Sequence, residues 1–349
     1  MTSMRFYIFA LSFLWLTGCG ENDSLHRTQS YIFGTMVDIT IYEPNEQHAR
    51  QAAEQVMHDF QQIHHQLHAW QASEITLLNQ KLHQGESTTI SRTLIDLLEY
   101  AKQLSVQSEG LFNPAIGELI AAWGFQRDEF APQIPESQRI LVLLTQNPRM
   151  TDIDIKKNNI TSTNKAVKLD FGGYAKGYAL DLARDRLHAM HIQHALINIG
   201  GNIIAMGMHG KKFWRVGIQH PRQPNAMATL NLPDGWAIGT SGDYQRYFEK
   251  NGKRYCHVID PRNGYPVTHT QAVTVLIPPS AHAGVLSDVA SKPIFIADVA
   301  EKPAMATKMG VAYYLWVDAN GEIVVSPQMA KLLHWEDANA AKRVRILPS

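Results

Sequence analysis

The chain has 349 residues, with 32 Lys and Arg against 32 Asp and Glu, 45% hydrophobic residues and 9% aromatics. That balance excludes a disordered, collagen-like or coiled-coil chain, and the length allows a core that needs no disulfide staple. Zero formal net charge and the lack of a Lys/Arg run argue against nucleic acid as a partner, because phosphate-backbone binding needs a clustered basic surface.

At the amino terminus Arg5 precedes an apolar stretch from Phe6 to Leu16, too short for a stable membrane span. Leu16-Thr17-Gly18-Cys19 follows and resembles the lipobox of bacterial lipoproteins, in which the signal is cut before the Cys and the thiol carries the lipid. The expectation is a signal peptide over residues 1–18, a polar tether over 19–30 and one folded domain over 31–349. Such a protein is exported and lipid-anchored to a bacterial membrane, facing the periplasm. With Cys19 acylated, Cys256 has no partner for an intramolecular disulfide.

Val37 to Ile41 alternates apolar and polar residues, the period of a half-buried strand. After Pro44 a helix is expected to about His68, with Val56, Phe60, Ile63 and Leu67 on its core face. Ser91–Ser108 reads as a second helix, with Gly110 placed for a C-terminal cap. Val167–Phe171 reads as a strand entering Gly172-Gly173, and a third helix is expected from about Tyr174 to Met190. Beyond it the pattern is strand-rich: Ala195–Ile199, Ile203–Met206, Trp214–Ile218, Ala237–Thr240, Arg254–Ile259, Val273–Ile277, Val311–Val317 and Glu322–Val325. Asn320-Gly321 between the last two is a hairpin signal. Short strands meeting without intervening helices predict an α+β fold, antiparallel sheets packed by helices.

Four clusters could carry chemistry. In Asp170-Phe171-Gly172-Gly173-Tyr174-Ala175-Lys176-Gly177 the glycines permit close approach of a ligand and the helix amides favour an anion, although a tight turn without ligand explains the same residues. Asn198-Ile199-Gly200-Gly201-Asn202 reads as a bulge or hairpin. In Tyr255-Cys256-His257-Val258-Ile259 strand alternation puts His257 and Cys256 on opposite faces, so Cys256 reads as a packed thiol. His257 is a general base, a ligand donor or a histidine satisfied by backbone. Ser287-Asp288-Val289-Ala290-Ser291-Lys292 suits either a hard cation or, on composition, the start of a helix. His64, His65 and His68 lack a third ligand at zinc spacing and read as a solvated helix face.

In order, these clusters resemble the FAD:protein FMN transferase family, the ApbE-type flavin transferases. Phe33-Gly34-Thr35 resembles its Met-Gly-Thr element, and Gly110-Leu111-Phe112-Asn113-Pro114 with Trp123-Gly124-Phe125 resembles its Gly-Ala-Phe-Asp-Pro and Trp-Gly-Phe elements. Asp170 to Asp181, Asn198 to Asn202, Thr240 to Tyr244 and His257 to Pro261 are similar to four further signatures. The resemblance implies a T-fold-like architecture that binds FAD as substrate together with Mg²⁺. It implies transfer of FMN to a Ser or Thr hydroxyl of an exported acceptor, with release of AMP. Implied acceptors are subunits of sodium-pumping NADH:quinone reductase and Rnf-type complexes. Phe33, Trp70, Leu111, Phe112, Asn113, Asp170, Lys176 and Ile259 would contact FAD. The carbonyl of Gly173, Asp288, Ser291 and position 292 would hold the metal, and His257 and Asp288 would serve catalysis. The alternatives are hydrolysis of FAD to FMN and AMP, or flavin binding without turnover.

Two positions depart from the pattern. Asn113 stands where the family commonly has Asp, and Lys292 where it has Thr. An ammonium cannot ligate a metal and repels it at close range. Either the metal stays on Asp288 with Lys292 turned away, or the ammonium takes over part of the metal's charge.

Overall fold

The computed structural model describes residues 24–127 and 132–348, so the signal segment and Cys19 lie outside the described residues. Among the described residues nine strands form the central sheet and cross it in chain order. They are Leu25–Ile32, Thr35–Tyr42, Ala195–Ile199, Asn202–Met206, Ala237–Gly242, Thr270–Ile277, Tyr313–Asp318, Ile323–Val325 and Val344–Ile346. All neighbours pair antiparallel except the last two, which are parallel.

Strand alternation sends side chains to two separate cores. Val37, Ile39, Ile197, Ile204, Val273 and Val275 face the helices Glu46–Gln66, Arg92–Gln107, Ala175–Ala189 and Ala283–Ile296. Ile203, Ala205, Ile238, Leu276 and Leu315 face a second, three-stranded sheet of Trp214–Gln219, Ala226–Leu232 and His334–Trp335. Covered on both sides, Thr270–Ile277 is buried along its whole length. A third, smaller cluster joins Leu119, Trp123, Phe125, Ile140, Phe248 and Ile259. This is the expected α+β arrangement.

Three expectations are corrected. Leu25–Ser30 is not tether but most of an edge strand, whose polar residues pair with Thr35–Tyr42. Among the described residues Val167–Phe171 joins no sheet; its one ladder contact is the isolated parallel bridge of Lys168 to Ile116, which itself lies outside every sheet. Ser287-Asp288 does not start a helix: both residues lie inside the helix Ala283–Ile296.

The helices Ala175–Ala189 and Ala283–Ile296 cross at a pair of glycines. A Cβ on Gly177 would lie 2.5 Å from the Gly284 carbonyl oxygen, and a Cβ on Gly284 would lie 2.5 Å from that of Gly177. No larger residue fits either place. The contact lets each helix cap the other's amino end, where backbone amides lack intrahelical partners. Asp181 accepts the N–H groups of Gly284 and Val285 at 2.8 and 2.9 Å. Asp288 Oδ2 accepts the N–H of Gly177 at 3.0 Å.

The far end of the Ala283–Ile296 helix is held by Lys302, which is fully buried. Its Nζ donates to Thr270 Oγ1 at 2.9 Å and to the carbonyls of Ile294, Phe295 and Ala297 at 2.7, 3.0 and 3.0 Å. Lys302→Met is expected to cost about 2–3 kcal/mol, because its hydrogen bonds are lost and buried carbonyls are left unmet. The check is a lower denaturant midpoint at unchanged slope.

Candidate functional site

The glycine crossing brings the Lys176 turn against the Asp288 helix. Asp288 is buried, with both carboxylate oxygens engaged: Oδ2 by Gly177 N–H at 3.0 Å and Oδ1 by Lys292 Nζ at 2.6 Å. Burial pushes its carboxyl up, but the Lys292 and Lys176 ammoniums and these donors together hold it below the usual carboxylate range. Asp288 is therefore ionised at neutral pH.

Lys176 occupies the first turn of its helix. Among the described residues its ammonium takes no hydrogen bond and no ion pair, although Asp288 lies near enough to favour its charge. Burial, opposed by Asp288 and reinforced by Lys292 and Arg246, pushes its pKa down. Arg246 is a cation the sequence reading missed. It follows the Thr240–Tyr244 signature, carries no pattern of its own, and donates through Nη2 to the Phe125 carbonyl at 2.8 Å.

His257 completes the cluster. Its Nδ1 lies 3.1 Å from the Arg246 carbonyl oxygen, an acceptor only, so Nδ1 carries the proton and Nε2 presents its lone pair. Burial first, then Arg246, Lys176 and Lys292, push its pKa down to about 3. The imidazole is neutral and proton-accepting. Cys256, one residue away, points into the main core, where burial pushes its thiol up to about 12; it is a packed thiol, as expected.

Asp170 is fixed beside this cluster. Its Oδ1 accepts the Gly172 N–H at 2.8 Å and its Oδ2 the Gln126 amide at 2.8 Å. Phe33 sits at the tip of the first hairpin with φ +57°, followed by Gly34 at +68°. An aromatic residue in that left-handed region is uncommon and holds its ring in a defined place. The Phe33 ring meets His64 at 5.7 Å, His64 meets His68 at 5.1 Å, and His68 meets Trp70 at 4.5 Å. Phe33 and Trp70 thus belong to one aromatic row, with Trp70 exposed at 38%.

The two histidines correct the expectation of a solvated face. His68 is buried past the end of its helix, and its Nδ1 accepts the N–H of Gln71 at 3.0 Å. Of the three, only His65 is exposed.

The other implied contacts are not gathered there by their side chains. Leu111 and Phe112 are buried in the main core, and Ile259 in the third cluster. Asn113 spends its amide on the Pro148 carbonyl and the Ala115 N–H, at 2.9 and 3.1 Å. A separate cleft of about 480 Å³ opens beside Asn113, lined by Gly110, Pro148, Arg149 and Arg262, and reaches neither Lys176 nor Asp288.

The implied Mg²⁺ does not fit the side chains as they stand. Mg²⁺ needs six oxygens near 2.0–2.1 Å. Lys292 Nζ is 2.6 Å from Asp288 Oδ1 and 2.7 Å from the Asp288 carbonyl oxygen, and its stem lies against Gly173. Ser291 Oγ is bound to Ser241 Oγ at 2.7 Å and to the Asp288 carbonyl at 2.9 Å. Among the described residues no three His, Cys, Asp or Glu side chains converge on a metal position.

Fold and site together define an α+β protein with a cluster of cationic side chains at a glycine-framed helix crossing, suited to a phosphate-bearing ligand, and a row of aromatic rings at the tip of the first hairpin. Residues 33–315 match the ApbE family model, and the chain belongs to that family. A Rhodobacter capsulatus FAD:protein FMN transferase is 38% identical over 299 residues, which cover 86% of this chain and 56% of that protein. This chain therefore spans little more than half the length of that relative. A Haemophilus influenzae FAD:protein FMN transferase is 30% identical over 272 residues, covering 74% of this chain and 75% of its own. The crystal structure of the Thermotoga maritima ApbE protein superposes with a TM-score of 0.80 at 26% identity, covering 88% of this chain and 99% of that one.

Proposed function

We propose that this protein transfers FMN from FAD to a Ser or Thr hydroxyl of an acceptor protein, releasing AMP. The observation that carries the reading is Lys176: an ammonium in the first turn of a glycine-flanked helix, with no hydrogen bond or ion pair among the described residues. A pyrophosphate supplies the missing counter-charge, and the adjoining helix amides favour the same ligand. The names of the relatives support the choice of FAD, and the Phe33–Trp70 row offers surfaces for flat rings.

In this mechanism the acceptor hydroxyl oxygen attacks the phosphorus on the riboflavin side. A new P–O ester bond forms as the bond from that phosphorus to the bridging oxygen breaks. AMP departs with the bridging oxygen and its electron pair, and the hydroxyl proton passes to His257 Nε2. Lys176 and Arg246 stabilise the charge that grows on the phosphates.

The lipobox supports an exported, lipid-anchored enzyme, attached through Cys19 and acting on exported acceptors. Subunits of sodium-pumping NADH:quinone reductase or Rnf-type complexes are the acceptor class in this reading. Incubation with FAD and such a subunit tests it. Labelled acceptor with AMP supports transfer, AMP with free FMN means hydrolysis, and no AMP removes catalysis from the reading.

A further inference from the structure

Lys292 fills the place in front of Asp288 that a cation would take. Of its three N–H donors, one meets Asp288 Oδ1 at 2.6 Å and one the Asp288 carbonyl at 2.7 Å. The third is left for a ligand. Asp288 has only 2% of its side chain exposed, whereas Lys292 keeps 16%, so the pair opens to the outside on the lysine's side. The lysine stem runs along the Gly173 backbone, where a Cβ on Gly173 would lie 2.9 Å from Lys292 Cε, so the glycine leaves room for this path toward Asp288.

The remaining oxygens agree with this seat. Asp288 Oδ2 is held by Gly177, and Ser291 Oγ is turned to Ser241. Ligating a divalent ion here would require breaking the Lys292 pair and bringing a second positive charge beside a displaced ammonium. The same ammonium adds to the positive field felt by Lys176 and His257.

We propose that Lys292 is the resident cation of this phosphate site, standing in place of a divalent metal, so that cleavage of FAD proceeds without Mg²⁺. The inference rests on the flavin-transfer reading for its substrate, but not for the nature of the cation. One charge replaces two, and Lys176 and Arg246 supply the rest of the positive field.

The test uses the full chain, with Mg²⁺ alone as probe and then with FAD. Wild-type protein is expected to show no rise in melting temperature with Mg²⁺, and AMP release in excess EDTA within about twofold of that in Mg²⁺. Lys292→Thr opens the position: AMP release then falls by about tenfold or more in EDTA and recovers with Mg²⁺, and Mg²⁺ raises its melting temperature. Lys292→Met loses activity in both conditions. A Mg²⁺-dependent melting shift in the wild type, or activity abolished by EDTA and restored by Mg²⁺, overturns the proposal. Failure to retain or cleave FAD in any condition sinks the transferase reading instead, and the wild-type Mg²⁺ melting shift still decides the nature of the cation.

Discussion

Replacing Lys176 with Met lowers kcat/KM for AMP release from FAD by about a hundred- to a thousandfold, about 3–4 kcal/mol of lost transition-state stabilisation. The protein itself is not weakened. Lys176 forms no hydrogen bond or ion pair among the described residues, and burial together with Lys292 and Arg246 disfavours its charge. Met keeps the length and apolar stem of the side chain while removing a charge that the fold opposes. Its melting temperature therefore holds or rises as activity falls. That split separates a ligand-facing cation from a structural one, whose loss lowers both. Stopped AMP assays and thermal melts on the same preparation decide it, and a variant that melts earlier with its rate intact sinks the assignment.

The same contrast shows which parts of this site a sequence can disclose. Local rules served well where one segment determines its own shape. Gly200 and Gly201 both have positive φ and close a hairpin, one of the two readings open for that segment, and a Cβ on Gly200 would lie 2.5 Å from Thr35 Oγ1. The Asn320-Gly321 turn and the amphipathic helices Glu46–Gln66 and Arg92–Gln107 follow their patterns. The Asp288 helix escaped because it is buried on nearly every side and so shows no polar face from which a period could be read. Leu25–Ile32 escaped for the opposite reason: an edge strand with one face in solvent has the composition of a tether. Arg246 joins the site, and His64 meets the Phe33 ring of a distant hairpin, through long-range packing that no spacing along the chain encodes. Lys292 was visible as a departure from the family pattern, but its seat on Asp288 and Gly173 needed the helix crossing to be built first.

Replacing His257 with Gln is expected to slow transfer to the acceptor by about 10²–10⁴-fold while leaving FAD binding nearly unchanged. Gln can still donate an amide N–H toward the Arg246 carbonyl, so the loop keeps its anchor, but it offers no proton-accepting nitrogen of comparable strength. In the free protein the imidazole pKa lies at about 3, so His257 stays neutral from acidic to alkaline pH and gives kcat/KM no acid limb near 6. Stability carries the opposite signature. The unfolded chain binds this proton near pH 6.5 and the folded chain only near 3, so between those values the unfolded state holds more protons. The stability that a neutral His257 contributes is complete above 6.5 and is lost as pH falls toward 3. His257→Gln removes that dependence, so its denaturant midpoint drops less than the wild type's between pH 7 and pH 4. A variant with the wild-type acid sensitivity would show that His257 already titrates normally in the fold. It would then lose its standing as a neutral base held among cations.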